Sequence, residues 1–483
     1  MRSEQRTQVR NNAKYLRNVR PIDPDEIAEY VAGHPHPAVV RQILREERHD
    51  LGLIEHEDGT FVPVPDDPVD PRNEPVTALP ERYVHGVENL LVERFGPGWQ
   101  DGSSGERLRQ RVRDIKEDYY RGRSVEYDDL AALGYAIYHL PNYYAVGRYV
   151  ADDLARDGLL PRTLRVLDVG AGVGGPALGL LDTLPDDALV DYHAVEPSGE
   201  AADVLEALLD GAGRNVQTTV HRTTAEAFDP SSASGNWSMA DGTPDSGDRD
   251  GWDLIVLANV LSELDDPVAV AETYLDAVAS DGSLVAIAPA DRETSIGLRE
   301  VERVLADERG ICSVYAPTVR LWPGQRPTEE CWSFDVKPDL DAPPFQRALD
   351  DGSSAFVNVT VQYSHAILRP DGRRRVAAEP SRERFARMTD ADRYVTERVD
   401  LLAAKLSHDL SDDGNPVLKV SDGSESVGWF AVLTRETQLN RELLDADYGE
   451  LLAFEGVLVL WNDDEGAYNL VVDSEVVVDR IPV

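Results

Sequence analysis

Residues 166–175 read VLDVGAGVGG: an apolar strand with an acid near its end, then a glycine-rich turn that Pro176 opens into a helix. Gly170, Gly172 and Gly174 let backbone approach a ligand closely, and the N-terminus of the following helix offers unpaired N–H groups. The pattern around this stretch is strand and helix in alternation. Apolar runs at 164–169, 189–195, 253–258 and 283–288 are separated by helical segments at 176–181, 199–209 and 267–279. Such an order predicts an α/β fold with a mainly parallel, doubly wound, Rossmann-like sheet.

The turn's chemistry suits either a pyrophosphate or the amino-acid end of S-adenosylmethionine, because Gly170, Gly172 and Gly175 also satisfy G-x-G-x-x-G. Asp168 favours the second. An acid two residues before the first glycine meets a ligand ammonium, whereas beside a pyrophosphate it repels. Glu196 ends the next apolar strand, where a carboxylate accepts ribose hydroxyls. NAD would use that acid equally, so Glu196 points to a nucleoside without naming it. Methyl transfer from a sulfonium needs chiefly proximity and alignment, so no nucleophile need be visible and no catalytic base is assigned.

The chain has 483 residues, more than one hydrophobic core usually organises. With 42% hydrophobic and 28% charged residues it reads as globular, yet 89 Asp and Glu face 48 Lys and Arg, a net charge of −41. Only five of the basic residues are lysine: Lys14, Lys116, Lys337, Lys405 and Lys419. Such a surface fits a halophilic, salt-rich cytoplasm, where counterions screen self-repulsion. Cys312 and Cys331 are the only cysteines, too few for a disulfide framework. No apolar leader or run of 18 apolar residues is present, so a cytoplasmic protein without membrane contact is expected.

Four segments are expected: 1–75, a basic arm plus a winged-helix-like module; 76–157, a helical lead-in; 158–345, the cofactor domain, with a flexible insertion at 229–250; and 346–483, a β-rich domain. In the first twenty residues Arg2, Arg6, Arg10, Lys14, Arg17 and Arg20 face only Glu4, a net of +5. Residues 23–65 then read as helix, helix and hairpin, with Arg41, Arg45 and Arg48 on one helical face. Docking to nucleic acid or the ribosome and packing against protein both remain open, since Glu46, Glu47, Glu55 and Glu57 lie nearby. Beyond residue 346, period two at 356–363, 417–423, 428–433, 456–461 and 468–473, with a helical piece at 389–410, predicts a small barrel of the oligonucleotide-binding (OB) type.

Four further motifs carry a resemblance: YAIYHLPNYYAV at 135–146, LDVGAGVGG at 167–175, NVLSEL at 259–264, and the strand and helix from 285 to 305. Over roughly residues 82–368 the sequence resembles class I S-adenosylmethionine-dependent methyltransferases. Within them it resembles the methyltransferase-like family associated with the small ribosomal subunit in mitochondria and many prokaryotes. The resemblance implies S-adenosylmethionine as cofactor, held by Asp168, Gly170, Ala171, Gly172, Gly174, Glu196, Thr224, Ala225 and Asn259. It implies methylation of rRNA or another ribosome-linked acceptor during small-subunit assembly, or a non-catalytic cofactor-binding assembly factor. The basic arm and the barrel would make the RNA contacts.

Two departures stand out. Thr224 occupies the place where the superfamily commonly has an adenine-contacting acid. Family members often carry a cysteine cluster, but here Trp332 stands at the cysteine position, so no metal cluster is expected. Asn259 and Glu263 are open to two readings, as acceptor-pocket residues or as helix-start residues. Most aromatics of 135–146 are expected in the core.

Overall fold

The structure, a computed structural model, describes residues 3–120, 128–233, 251–377 and 379–482. They fall into two compact units, one of Met1–Ile255, Ala277–Gly282 and Pro338–Thr360, the other of Val256–Asp276, Ser283–Lys337 and Val361–Val483. Most of the insertion expected at 229–250 lies outside the described residues.

The first unit opens with α1 (Ser3–Leu16), α2 (Pro24–Tyr30), α3 (Pro37–Leu51) and the hairpin β1 (Leu53–Glu55) and β2 (Phe61–Pro63). Asp23 caps α2 by accepting the Asp25 amide, His36 caps α3 through Nδ1, and each helix has proline in its first turn. Val9, Ile27, Val40, Leu44, Leu53 and Phe61 form the core of this part.

The expected basic arm takes a different form. Ser3–Leu16 are the folded helix α1, and several of the arm's arginines pair within the protein. Arg6 pairs with Glu47 at 2.5 Å and Glu46 at 2.9 Å, and Arg10 pairs with Glu47 at 2.9 Å and Asp50 at 3.2 Å. Arg17 donates to the Leu51 carbonyl at 2.8 Å. On the arginine face of α3, Arg41 lies 3.6 Å from Glu55, Arg45 grips Glu55 at 2.5 and 2.9 Å, and buried Arg48 donates to the Arg214 carbonyl at 2.7 Å. Three of the carboxylates that seemed to oppose phosphate contact, Glu46, Glu47 and Glu55, are the partners of these cations, and Glu57 lies 4.0 Å from Arg214.

Four helices follow: α4 (Glu81–Phe95), α5 (Gly102–Tyr120), α6 (Asp129–Tyr138) and α7 (Leu140–Arg156). The alternating part then begins with β3 (Thr163–Val169), α8 (Gly175–Thr183), β4 (Leu189–Val195), α9 (Gly199–Leu209) and β5 (Val216–His221). Strand β4 runs parallel to β3 and to β5. Helices α7 and α8 touch backbone to backbone. A side chain at Gly147 would strike the Pro176 backbone, and one at Gly179 would strike the Tyr144 carbonyl and, at 2.7 Å, the Arg148 amide.

Next come α10 (Pro230–Ala233), β6 (Trp252–Ala258), α11 (Pro267–Leu275), β7 (Val278–Pro289), α12 (Arg292–Arg303), β8 (Ser313–Ala316), β9 (Asp335–Lys337), α13 (Pro344–Leu349) and β10 (Val361–Arg369). The sheet order is β5-β4-β3-β6-β7-β10-β8, with β9 beside β10. Strand β10 is antiparallel to β7 and β8, so the Rossmann-like sheet is mixed.

The rest of the second unit is a closed barrel: β11 (Arg398–Lys405), β12 (Val417–Ser421), β13 (Trp429–Leu433), α14 (Glu442–Asp445), β14 (Leu451–Asn462), β15 (Ala467–Val472) and β16 (Val477–Arg480). Five strands pair in the order β11-β12-β13-β15-β14, β14 closes on β11, and β13 and β15 are parallel. Leu418, Trp429, Phe454 and Leu470 fill it.

Two strand assignments need correction. The period-two run at 356–363 leads into β10 of the mixed sheet and is not a barrel strand. The segment 389–410, expected to be helical, supplies the first barrel strand, β11. Leu401 to Leu406 are all buried, and a strand covered on both faces loses the alternation that would have marked it. No helix among the described residues is long and apolar enough to cross a membrane.

Candidate functional site

Strand β3 carries Asp168 one residue before its C-terminal end. The residue is buried, and its Oδ2 accepts the Tyr192 hydroxyl from β4 at 2.8 Å. Its Oδ1 has no partner among the described residues. Burial pushes the Asp168 carboxyl up to about 7; the Tyr192 hydrogen bond opposes the rise, and the nearby Glu196 charge adds to it. A buried carboxylate with an unmet oxygen calls for a cation or another donor.

The glycine turn is tied to the end of β4 beside it. The amides of Gly170 and Ala171 both donate to the Val195 carbonyl, at 2.8 and 3.2 Å. The Gly172 amide donates to Glu196 Oε2 at 2.9 Å, and the Ser198 amide donates to Oε1 at 2.8 Å. Burial raises the Glu196 pKa, while these two amides, which favour the charged form, pull it down. Each carboxylate oxygen keeps a second lone pair for a hydroxyl donor.

Two of the glycines serve different ends. At Gly172 (φ +54°) an added methyl meets nothing within 4 Å, so the turn's face is open to a ligand. At Gly174 (φ +93°) it would collide with Leu205 Cδ1, so this glycine serves packing. Gly174 is also the N-cap of α8 and brings no side-chain cap to that helix end.

The remaining expected residues sit as follows. Thr224 is exposed, with its Oγ1 accepting the Ala227 amide at 3.3 Å and its carbonyl accepting the Phe228 amide at 3.1 Å. Ala225 is buried beside it. Phe228 lies 4.8 Å, ring to ring, from His221 at the end of β5. His221 Nε2 is 2.9 Å from His193 Nδ1, and His193 Nε2 is 3.2 Å from Asp191. Asn259 belongs to the second unit, where it adopts φ +58° and its amide donates to the Ile287 carbonyl at 2.9 Å. Glu263 ends the short 3-10 turn Leu261–Glu263.

Asp168, Gly170, Ala171, Gly172 and Glu196 are thus brought together at the ends of β3 and β4, each by its own hydrogen bond between the two strands' segments. Sequence reasoning missed Tyr192 and Ser198, which complete the set. A tyrosine 24 residues after Asp168, in the middle of the next strand, was the available signal for the first. Among the described residues no three His, Cys, Asp or Glu side chains converge to hold a metal. Cys331 is buried, and Trp332 donates to the Ala290 carbonyl at 3.0 Å.

A family model described as Methyltransferase domain matches residues 167–284, the stretch that contains this assembly. Residues 6–57 match the model described as Domain of unknown function (DUF8157) N-terminal domain, and residues 389–481 match its C-terminal counterpart. Residues 167–284 are therefore a methyltransferase domain, and S-adenosylmethionine is the cofactor of that enzyme class.

No curated protein matches the chain. Solved structures similar to it include the plantazolicin methyltransferase BpumL in complex with SAH, at 10% identity and TM-score 0.29, over 59% of this chain and 98% of that one. The CurJ carbon methyltransferase overlaps at 15% identity and TM-score 0.31, over 76% of this chain and 92% of that one. A putative methyltransferase from Thermoplasma acidophilum overlaps at 13% and 0.27, over 44% and 70%. Overlaps this small carry nothing about the acceptor.

Proposed function

We propose that the protein binds S-adenosylmethionine at the turn between β3 and α8 and transfers its methyl group to rRNA or a ribosome-linked acceptor in small-subunit assembly. The observation that carries the cofactor part is Asp168: a buried carboxylate with an unpartnered oxygen, next to a turn whose Gly172 face is open. Bound there, the cofactor supplies a methyl group on a sulfonium that leaves as a thioether. Asp168 receives the ammonium, the Gly172 face admits the amino-acid end, and Glu196 accepts ribose hydroxyls while holding the turn. Thr224 offers adenine no free acid, so recognition there rests on the backbone of 224–228 and on apolar contact.

The acceptor rests on the resemblance over residues 82–368 and on the barrel, whose strand order we read as that of an oligonucleotide-binding barrel. The helix-helix-hairpin order of 23–65 supports a winged-helix-like reading of the first module. With its arginines paired to carboxylates or to backbone carbonyls, that module offers little free positive charge, and RNA contact falls to shape and stacking.

Calorimetry with S-adenosylmethionine and, separately, NAD at molar KCl tests the cofactor. Binding of the first alone is expected; no binding, or NAD binding in its place, overturns it. Mass-spectrometric comparison of rRNA nucleosides from parent and deletion strains tests the acceptor. One missing methylation is expected, and an unchanged pattern leaves a cofactor-binding assembly factor in place of an rRNA enzyme.

A further inference from the structure

The segment 135–143, where α6 turns into α7, is half open along one side. Its apolar residues Ala136, Ile137 and Leu140 are buried, while Tyr135, Tyr138, His139, Asn142 and Tyr143 are each part-exposed. The aromatics of 135–146 are expected mostly in the core, but Tyr144 alone is buried and the others are part-exposed.

The His139 imidazole clusters with three phenol rings: it is 4.5 Å from Tyr135 and 5.3 Å from Tyr143, which are 6.1 Å from each other, and Tyr138 is edge-on to it at 4.8 Å. The Tyr143 ring is within 21° of parallel to it. His139 Nδ1 and Asn142 Oδ1 are both shielded from solvent, and neither has a hydrogen-bond partner among the described residues. Two such atoms on neighbouring turns cost free energy unless a ligand supplies the missing partners.

This elbow abuts the methyltransferase turn within the same unit. A methyl on Gly175, the first residue of α8, would meet Tyr143 Cβ at 2.6 Å and the Leu140 carbonyl at 3.4 Å. Because α7 and α8 touch backbone to backbone beyond this point, the elbow is fixed against the turn.

We propose that the α6–α7 elbow, with Tyr135, Tyr138, His139, Asn142 and Tyr143, is the acceptor subsite and takes a planar heteroaromatic ring that bears N–H groups, such as a pyrimidine base. The rings supply the stacking surface, and base stacking on aromatic side chains is a strong, sequence-tolerant interaction. His139 and Asn142 supply polar edges that orient the ring. Burial and the charge of Lys116 hold His139 far below the usual imidazole range, at about 3, so it stays neutral and is no proton acceptor at working pH. In the transfer, the acceptor atom bonds to the methyl carbon and the sulfur–methyl bond breaks with its electron pair to sulfur. The acceptor's proton leaves to water.

This inference rests on the methyltransferase reading above, and its test separates the two. Saturation-transfer NMR with cytidine and uridine is run on the whole chain with S-adenosylhomocysteine saturating, so that the adenosine site is filled. The wild type is expected to bind a pyrimidine nucleoside. His139→Ala and Asn142→Ala should each weaken it about tenfold, the effect of one lost hydrogen bond, with S-adenosylhomocysteine affinity unchanged. Circular dichroism checks that both variants are folded. If S-adenosylhomocysteine binds but neither nucleoside does, or the variants bind nucleoside as well as the wild type, the subsite is wrong and the cofactor reading stands. A loss of S-adenosylhomocysteine affinity in His139→Ala assigns the elbow to the cofactor and also overturns the proposal. If S-adenosylhomocysteine fails to bind the wild type, the cofactor reading itself fails.

Discussion

The Glu196 carboxylate accepts the Gly172 amide at 2.9 Å, so the acid expected to hold a ribose also holds the turn that admits the rest of the ligand. Glu196→Gln replaces one acceptor oxygen with a donor that faces a backbone N–H. Cofactor affinity should fall about tenfold to a hundredfold, the range for losing a charge-assisted hydrogen bond. Calorimetry reads the loss, and a variant that binds as tightly as the parent removes Glu196 from the site.

Asp168 makes affinity depend on pH. Burial lifts its pKa from the ordinary 3.8 to about 7, so below about pH 7 the neutral acid is the form that the free fold prefers. Asp168 therefore stabilises the empty fold fully below about pH 4, and that stability is lost as pH rises through about 7. An ammonium prefers the ionised form, so affinity should climb between about pH 6 and 8 and then level off. Asp168→Asn should flatten the profile at weak binding. Tyr192→Phe removes the hydrogen bond that lowers the pKa and should move the midpoint upward.

The two glycines separate ligand approach from folding. Gly174→Ala drives a methyl into Leu205 and strains a positive φ, so the melting temperature should drop by several degrees. Gly172→Ala meets open space and carries backbone strain of only about 1 kcal/mol, while blocking the face a ligand must reach. Thermal melts beside binding curves check the pair; equal melts for both variants contradict the assignment.

Glu47 holds both Arg6 and Arg10 with a side chain 7% exposed, whereas its neighbour Glu46 is 42% exposed. Glu47→Gln should cost about 1 to 2 kcal/mol, at the low end because both arginines reach solvent and are screened. Glu46→Gln should cost less than about 0.5 kcal/mol. Denaturant titration of the two variants decides, and equal losses mean that the burial of Glu47 is unimportant.

With 89 acids against 48 Lys and Arg, repulsion should govern stability at low salt. Raising KCl from 0.1 to 1 M shortens the Debye length from about 10 to about 3 Å and should raise the melting temperature. A flat or falling curve speaks against a salt-adapted surface.

The site's centre was legible because its determinants are local. The strand, Asp168 and the glycines lie within ten residues, and Glu196 ends the very next strand. What escaped were pairings over distance. The partners of Arg6 and Arg10 lie some 40 residues away on α3, and nothing in the spacing of a basic stretch says that another helix will neutralise it. Period two marked 356–363 as extended but could not say which sheet would take it. The buried strand β11 gave no period at all. In 135–146 the aromatic spacing marked a helix, but exposure depends on how α6 and α7 meet.

At Gly147 and Gly179 no side chain separates α7 from α8, and Tyr144 and Arg148 of α7 tie the same seam to Asp182 of α8. Two helices in bare backbone contact have no cheap sliding coordinate, so the elbow at His139 and the turn at Gly172 behave as one stiff bracket. An enzyme built this way admits a ring of the right thickness or rejects it, and does not reshape itself around the misfit. Broad tolerance of acceptors would then have to come from other segments of the chain.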